Sequence, residues 1–405
     1  MDVAQPTARP KQAFRSLLSA SAISSFGDGL VSVAFPLLAV VLTHSPLLVS
    51  GLLVAGRLPW LLVSLPAGVA VDRLNRRRLV VVVEIVRGAL VAVVALGAAT
   101  HHLVIAELYL ASFCEGAGET IVSSATSGLL PSIVEPDGLN RANGFLGAAT
   151  TGGENFAGPA AGGVIYGLAR FVPFLADALS YVASAALLRS AIPAPLPDRD
   201  ESAPRPGWWS DIGAGLSHLR GSKSLRSLTA ALASFAFCQA MVVAVLVLYA
   251  TRDLHLSSTG YGILLAVAAL GDVAGSLLAS RVVGRVGPYV TLVAAGVLAA
   301  GAYLLLGSMT ALVVAGAALV IEAAASSAGI VTTRSLRQTL IPRERFGLVN
   351  NAIRSCVTGS IPLGALLGGL LGAVIGLREG FEVAGALQLV AICALVLPLQ
   401  SIRSS

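Results

Sequence analysis

Twelve apolar segments constrain this chain more than any other feature of its sequence. A helix needs roughly 20 residues to cross a bilayer. The segments cover residues 14–42, 46–70, 79–99, 103–130, 142–168, 171–190, 225–250, 258–280, 288–307, 310–336, 346–375 and 381–400. Only 12% of the residues are charged, whereas soluble domains carry about 25%. The sequence therefore predicts an all-α integral membrane protein with twelve transmembrane helices.

The longest polar stretch, residues 191–223, divides the segments six and six. It contains five prolines and the charged run Asp198–Glu201, a composition typical of a linker. After them, four bulky residues recur at helical spacing, namely Trp208, Ile212, Leu216 and Leu219. This spacing predicts an amphipathic helix on the cytoplasmic membrane surface. We expect two six-helix bundles with pseudo-symmetry, residues 1–190 and 224–405, joined by a linker at 191–223.

Lysine and arginine are distributed unevenly between the two sides of the predicted membrane. Of the 27 basic residues, Arg57, Arg87 and Arg354 lie well inside segments, and Arg170, Arg252 and Arg378 lie in loops opposite the N-terminus. All the others lie on the N-terminal side. Short basic loops stay in the cytoplasm. The pattern therefore places both termini there and predicts a multi-pass protein of a bacterial cytoplasmic membrane.

The loop after the second segment combines glycine, aspartate and arginine. Its motif residues are Gly68, Asp72, Arg73, Arg76 and Arg77. Glycine permits close helix approach, and an aspartate with arginine partners can form an ion pair in one conformation only. The loop resembles the conformational motif of the major facilitator superfamily, although Ala70 replaces a usual Leu and Asn75 a usual Gly. Because asparagine tolerates a left-handed backbone, we expect Asn75 to allow the same turn as the usual glycine. The alternative is a loop that only anchors topology.

The fifth segment carries a glycine-rich string around a proline. Its members are Gly153, Gly158, Pro159, Gly162 and Gly163. Proline removes a backbone hydrogen bond, and small residues let helices pack closely. The string resembles the antiporter motif of major facilitators, which is associated with exporters and lies on the same helix. The resemblance implies export by exchange. A kinked, glycine-packed helix without that role is the simpler alternative.

Charged residues inside the predicted spans are functional candidates because a charge within a bilayer is costly. Glu84 and Arg87 are three residues apart, and we expect them to neutralise each other in a structural role. Otherwise the spans hold, away from their ends, two arginines, Arg57 and Arg354, and seven acids. The acids are Asp28, Glu115, Glu119, Glu154, Asp177, Asp272 and Glu322. This excess predicts a cavity that favours cationic or neutral amphipathic solutes.

Five of these acids are candidates for proton coupling, namely Asp28, Glu115, Glu119, Glu154 and Glu322. Glu115 and Glu119 are four residues apart and share a helix face. We expect that these two carboxylates do not ionise together. Asp28 lies deep in the first segment, and Arg57 is expected to approach it and compete with the proton. The alternative is that the acids pair with Arg57 or with backbone groups for folding alone.

Local strings extend the resemblance to the drug- and metabolite-exporting branch of the major facilitators, which includes macrolide efflux proteins, Tap-like multidrug efflux pumps and the enterobactin exporter. These strings are Gly27-Asp28, Ala34–Leu38, Leu130-Pro131, Asn140–Asn143 and Pro362–Ala365. The resemblance implies a proton-coupled antiporter that exports amphipathic drugs or metabolites by alternating access. A siderophore or lysophospholipid carrier, with Arg57 holding an anionic group, and an uptake symporter are the alternatives.

The motifs of enzymes and ATP-driven pumps are missing from the sequence. The chain has no H-E-x-x-H, G-x-S-x-G or G-x-x-x-x-G-K-[ST] string. Its four cysteines and five histidines have no metal-ligand spacing. We expect a monomeric transporter that is not an enzyme and uses no cofactor or metal. Its expected partners are a small-molecule substrate, protons and membrane lipid, without nucleic acid.

Overall fold

A computed structural model describes residues 10–63, 74–127, 129–135, 138–191, 217, 219–342 and 345–399. These residues form helices joined by short connections, and none of them forms a strand. Among the described residues, eight continuous helices are long and apolar enough to cross a membrane, and one of these, Ser258–Ser308, spans 51 residues. The predicted all-α membrane class is confirmed.

The first six predicted spans correspond to six helices. They are α1 (Pro10–Leu42), α2 (Pro46–Leu62), α3 (Arg76–Thr100), α4 (Ile105–Ser127), α5 and α6 (Val172–Ala191). Helix α5 has three consecutive parts: Leu139–Thr151, the π-helical Gly152–Ala157, and Gly158–Leu168. The short helix Leu130–Ile133 precedes it.

Six further helices correspond to the remaining predicted spans. Helix α7 runs over Lys223–Val243 and continues through Leu246–Leu248 into the π-helical Tyr249–Asp253. Helices α8 (258–286) and α9 (288–308) lie within Ser258–Ser308. They are followed by α10 (Leu312–Leu340), α11 (Phe346–Val374) and α12 (Leu377–Leu399).

The connection predicted between residues 280 and 288 is wrong in extent. Helix α8 continues through this stretch, and only Gly287, with φ 81° and ψ 162°, leaves the helical conformation. Glycine adopts this positive φ without a steric penalty. Pro288 then begins α9, at a position where its missing N–H is not needed. The arginines at 281 and 285 did not end the helix because arginine is a good helix former.

The loop motif lies partly outside the described residues, which exclude Gly68, Asp72 and Arg73. Arg76 and Arg77 begin α3. Asn75 has an extended backbone, with φ −64° and ψ 106°, and its side chain accepts a hydrogen bond of 3.2 Å from the backbone N–H of Arg78. It is therefore a helix N-cap and not a left-handed turn residue, because a helix start has free N–H donors that a short polar side chain can satisfy.

Contacts divide the chain into two compact units. The first unit comprises Met1–His44, Ala55–Asp200 and Leu256–Ala266, and the second comprises Ser45–Val54, Glu201–His255 and Val267–Ser405. In the first unit, α1 packs against α5 and α6, and α3 packs against α4 and α6. In the second, α7 packs against α11 and α12. The predicted bundle boundaries stay a prediction, and most of the predicted amphipathic helix lies outside the described residues.

Candidate functional site

A buried cluster of charged and polar side chains joins four helices of the first unit. We call it the Arg87 cluster. Its members are Asp28 on α1, Glu84 and Arg87 on α3, Glu115 on α4, and Asp177 and Tyr181 on α6. Arg87 is 3% exposed and Asp177 is fully buried. Charges at this depth are costly, so their partners decide what the cluster can do.

Arg87 is the hub of this cluster. Its Nη2 atom lies 3.0 Å from Asp28 Oδ1 and 3.1 Å from Glu115 Oε2. Nη2 also donates to the Tyr181 hydroxyl at 2.7 Å, and Nε donates to Glu115 at 3.2 Å. The carbon at the centre of the guanidinium lies 4.2 Å from the centre of the Tyr181 ring. A planar guanidinium with five donors can bridge several acceptors at once.

The predicted neutral pair of Glu84 and Arg87 is replaced by this wider arrangement. The ion pairs of Arg87 in the described part of the chain are with Asp28 and Glu115. Glu84 accepts a hydrogen bond of 3.3 Å from Ser184, and its Oε2 atom has no partner among the described residues. Arg87 forms its ion pairs with Asp28 on α1 and Glu115 on α4 instead of with Glu84 on its own helix.

Tyr181 connects the two acids that flank Arg87. Its hydroxyl is within hydrogen-bond distance of Asp28 Oδ1 and of Glu115 Oε2. A phenol has one proton to donate. It can therefore serve only one of these carboxylates at a time while accepting from Arg87. Tyr181 was not predicted as a site residue. A weak signal was available, because Tyr181 follows Asp177 by four residues and therefore shares its helix face.

The carboxylates of the cluster outnumber its one guanidinium. Asp28, Glu115 and Asp177 each have an oxygen within 4.8 Å of the other two, a spacing that can hold a metal ion. Carboxylate oxygens suit hard cations. In this structure Arg87 supplies positive charge to two of the three acids. The excess of acids means that the cluster needs protons or a further cation to be neutral.

Glu119 and Glu154 form a second acidic group beside Asp28. Glu119 interacts electrostatically with Asp28 and Glu154. This differs from the predicted pairing of Glu119 with Glu115, because Glu115 is turned towards Arg87. Arg57 on α2 is exposed and acts on Glu119 and Glu154. The ion-pair partner of Asp28 is Arg87, not Arg57, so that expectation is also corrected.

The glycine-rich string brings α5 into backbone contact with its neighbours. A Cβ atom on Gly153 would lie 2.8 Å from the backbone nitrogen of Phe26, and one on Gly158 would lie 2.5 Å from the Cα atom of Gly29. Gly162 faces the backbone of Leu30 in the same way. On another face, a Cβ atom on Gly163 would lie 2.8 Å from the Cα atom of Gly262 on α8. Any larger side chain at these positions would separate the helices.

The backbone of α5 changes its geometry next to this string. The N–H group of Gly158 donates to the carbonyl of Gly153, which is the wider π-helical pattern. Pro159 follows and has no N–H to donate. Single π-helical turns within α-helices are frequent at functional sites. Glu154 lies within this turn, so the acid and the glycine contacts are parts of one local distortion.

The second unit contains a separate buried acid, Glu322 on α10. Its Oε1 atom accepts hydrogen bonds of 3.0 Å from Gln239 Nε2 and 3.0 Å from the Tyr303 hydroxyl. Nearby, Asp272 on α8 accepts a hydrogen bond of 2.6 Å from Ser327. Glu322 belongs to the second unit, whereas the other four predicted proton-coupling candidates belong to the first.

The apolar helices and buried charges of the described residues are those of a multi-pass membrane protein. A family model of the major facilitator superfamily, described as transmembrane secretion effector, matches residues 6–404. The chain belongs to this family. No curated protein matches the chain significantly.

Solved transporters share this fold. A bacterial homologue of the human lysosomal transporter Spinster, in an inward-facing and occupied conformation, has a TM-score of 0.78 and 15% identity over 97% of this chain and 98% of that chain. A bacterial homologue of the iron transporter ferroportin has a TM-score of 0.68 and 16% identity, with 98% of each chain covered. The nucleoside transporter NupG has a TM-score of 0.68 and 11% identity, covering 98% of this chain and 99% of that chain. At identities this low, the TM-scores show a common fold and nothing beyond it.

Proposed function

We propose that this protein is a proton-coupled antiporter that exports amphipathic, cationic or neutral drugs or metabolites from the cytoplasm by alternating access. The single observation that carries the proposal is that Asp28 and Glu115 share the guanidinium of Arg87. Two acids that share one fixed cation respond to each other's protonation. We expect a monomer in a bacterial cytoplasmic membrane, with both termini in the cytoplasm.

The exposure of the cluster gives its members different roles. The side chain of Asp28 is 24% exposed and that of Glu115 is 12% exposed, whereas that of Arg87 is 4% exposed. Asp28 is therefore the acid that a proton or a solute reaches first. A proton on Asp28 removes one anionic partner of Arg87 and leaves Glu115 as the other. The proton of Tyr181 is then free to serve Glu115.

Exchange follows if a cationic substrate and a proton compete for the same acids. Asp28, Glu119 and Glu154 interact with one another electrostatically. A cation beside them favours their ionised forms, and a proton on any of them weakens the attraction for the cation. Such a coupling is reciprocal, so proton binding promotes substrate release as much as substrate binding promotes proton release.

The glycine-rich string on α5 supports the direction of transport. Its resemblance to the antiporter motif points to export. The contact of Gly163 with Gly262 on α8 requires two helices to meet without side chains between them. A helix pair of this kind can close tightly in one conformation and part in another, which is what prevents back-leak in an exporter.

Accumulation of a fluorescent cationic dye in cells that express the protein tests this function. We expect the cells to exclude the dye, and we expect a protonophore to abolish the exclusion. Cells with Asp28→Asn at equal expression are the control and should accumulate dye as empty cells do. Energy-dependent uptake of the dye would reverse the proposed direction.

A further inference from the structure

We infer that Glu322, together with Gln239 and Tyr303, binds the positively charged group of an organic cation. The inference rests on the proposed function and deepens it, because it assigns a substrate class to a site in the second unit. Coupling to protons is assigned to the Arg87 cluster in the first unit. The two assignments separate the group that holds the solute from the group that drives its exchange.

The geometry leaves one oxygen of Glu322 for a ligand. Gln239 on α7 and Tyr303 on α9 both donate to Oε1. A carboxylate oxygen has two lone pairs, so these two bonds fill Oε1 and fix the orientation of the carboxylate. Oε2 then has its lone pairs for a cation. Glu322 is 7% exposed, and Gln239 is half-buried, so the carboxylate is not sealed within the unit.

Comparison with the Arg87 cluster shows what differs at this site. Glu115 lies ten residues after the start of α4 at Ile105, and Glu322 lies ten residues after the start of α10 at Leu312. Glu115 is hydrogen-bonded from α3 and α6, and Glu322 is hydrogen-bonded from α7 and α9. Glu115 is paired with an arginine. Among the described residues, the hydrogen bonds of Glu322 come from two neutral side chains, so no arginine of this set competes with a bound cation there.

A buried carboxylate that is held by neutral donors attracts a cation. Its charge is costly unless a positive partner offsets it. Asp272 interacts electrostatically with Glu322 and adds negative charge. Two acids held by neutral donors suit the positively charged group of an organic cation better than an anion or a neutral polar solute.

Equilibrium binding of ethidium to the purified full-length protein in detergent tests the inference, with fluorescence anisotropy as the readout. Ethidium keeps its positive charge at every pH used, so any pH dependence reports on the protein. Glu322→Gln keeps an oxygen that can accept from Gln239 and Tyr303, and it removes the charge. We expect this variant to bind ethidium at least about tenfold more weakly, a loss of about 1.4 kcal/mol. The matched control is Glu382→Gln on the exposed face of α12, which should bind as the wild type does.

A measurement on the wild-type protein covers the case in which the variant does not fold. Dicyclohexylcarbodiimide modifies carboxyl groups in apolar surroundings, and mass spectrometry identifies the modified peptide. We expect ethidium to slow the modification of Glu322. Modification at an unchanged rate would overturn the inference.

The outcomes also separate this site from proton coupling. Equal ethidium binding by the wild type and by Glu322→Gln, or no binding by the wild type, overturns the inference, and Glu322 then holds a proton only. If binding requires Glu322 but a pH gradient does not drive transport, the cation site stands and the proposed coupling fails.

Discussion

Arg87 on α3 and Asp28 on α1 form an ion pair with an Nη2–Oδ1 distance of 3.0 Å. The two partners differ in exposure, because the side chain of Arg87 is 4% exposed and that of Asp28 is 24% exposed. The pair therefore consists of a fixed, buried cation and an acid that a solute can reach. When Asp28 is protonated, the buried cation must rely on its remaining partners. In the proposed mechanism, Asp28 is therefore the member of the pair that exchanges a proton.

Removal of Arg87 should destabilise the protein. Arg87→Gln leaves the carboxylates of Asp28 and Glu115 without their shared cation, and the loss of one partner of a buried ion pair costs about 3–5 kcal/mol. Thermal unfolding of the purified protein in detergent should show a clear drop in midpoint. The double variant Arg87→Gln/Glu115→Gln should recover part of it.

The control for this prediction is Arg281→Gln, which removes an exposed arginine from α8. It should leave the unfolding midpoint unchanged. An unchanged midpoint for Arg87→Gln as well would mean that the cluster is not held together by this cation.

The hydroxyl of Tyr181 should affect coupling more than folding. Tyr181→Phe keeps the ring that packs against Arg87 and removes the hydrogen bonds to the two acids. Hydrogen bonds to charged groups contribute about 1.5–3 kcal/mol, so we expect transport driven by a pH gradient to slow about tenfold, and its pH profile to change. Transport assays in proteoliposomes over a range of pH measure both.

Tyr166→Phe is the matched control for Tyr181→Phe. The Tyr166 hydroxyl on α5 is buried and has no hydrogen-bond partner among the described residues. Its removal should leave the rate and the pH profile unchanged. If the two variants behave alike, Tyr181 has a packing role only.

Substitution within the glycine-rich string should separate α5 from α1. Gly158→Ala places a Cβ atom 2.5 Å from the Cα atom of Gly29, where backbone atoms cannot give way cheaply. We expect a cost of about 1–3 kcal/mol and a transporter that leaks or is inactive. The bulkier Gly158→Leu should cost more stability and leak dye faster. Leakage of a trapped dye from proteoliposomes measures the effect.

Gly147→Ala, on the same helix, is the control for this string. A Cβ atom on Gly147 meets no atom within 4 Å, so the alanine should be neutral or stabilising because it favours the helix. If proteoliposomes with Gly158→Ala leak dye no faster than those with Gly147→Ala, Gly158 has no role beyond ordinary helix packing.

The next prediction concerns the loop motif, whose Asp72 lies outside the described residues. Asp72→Asn should lower transport without unfolding the protein, because a lost ion pair changes the ratio of inward-facing to outward-facing molecules. Crosslinking of paired cysteines on the cytoplasmic face reports that ratio. Asn75→Ala removes only the α3 cap, at a cost of about 1 kcal/mol, and should leave the ratio unchanged. An unaltered ratio and rate for Asp72→Asn would leave the loop as a topology anchor.

Hydropathy predicted the helices well because it depends only on local composition. The span predicted at residues 103–130 is the helix Ile105–Ser127, and the span at 171–190 is Val172–Ala191. The predicted connection after residue 280 was too long because two arginines in an apolar sequence are typical of a loop between spans. The backbone there responds to helix propensity and to the single glycine at 287 instead.

The site was predicted only in part because its chemistry depends on which helices meet. Single acids inside apolar spans, such as Asp28 and Glu115, stand out in the sequence. The contact between Arg87 and Tyr181 joins residues 94 positions apart, and only the packing of α3 against α6 creates it. Spacing along one helix predicted Glu84 as the partner of Arg87, but its ion-pair partners are Asp28 and Glu115, which lie on two other helices.

Transport driven by a pH gradient in proteoliposomes tests the central claim most directly. Purified wild-type protein, Asp28→Asn and Glu115→Gln are reconstituted singly, and uptake of a cationic dye is followed with and without the gradient. Our account predicts that the gradient accelerates transport by the wild type, and that at least one variant still binds the dye but loses this response. If both variants respond to the gradient as the wild type does, the Arg87 cluster does not carry the proton, and the account is contradicted.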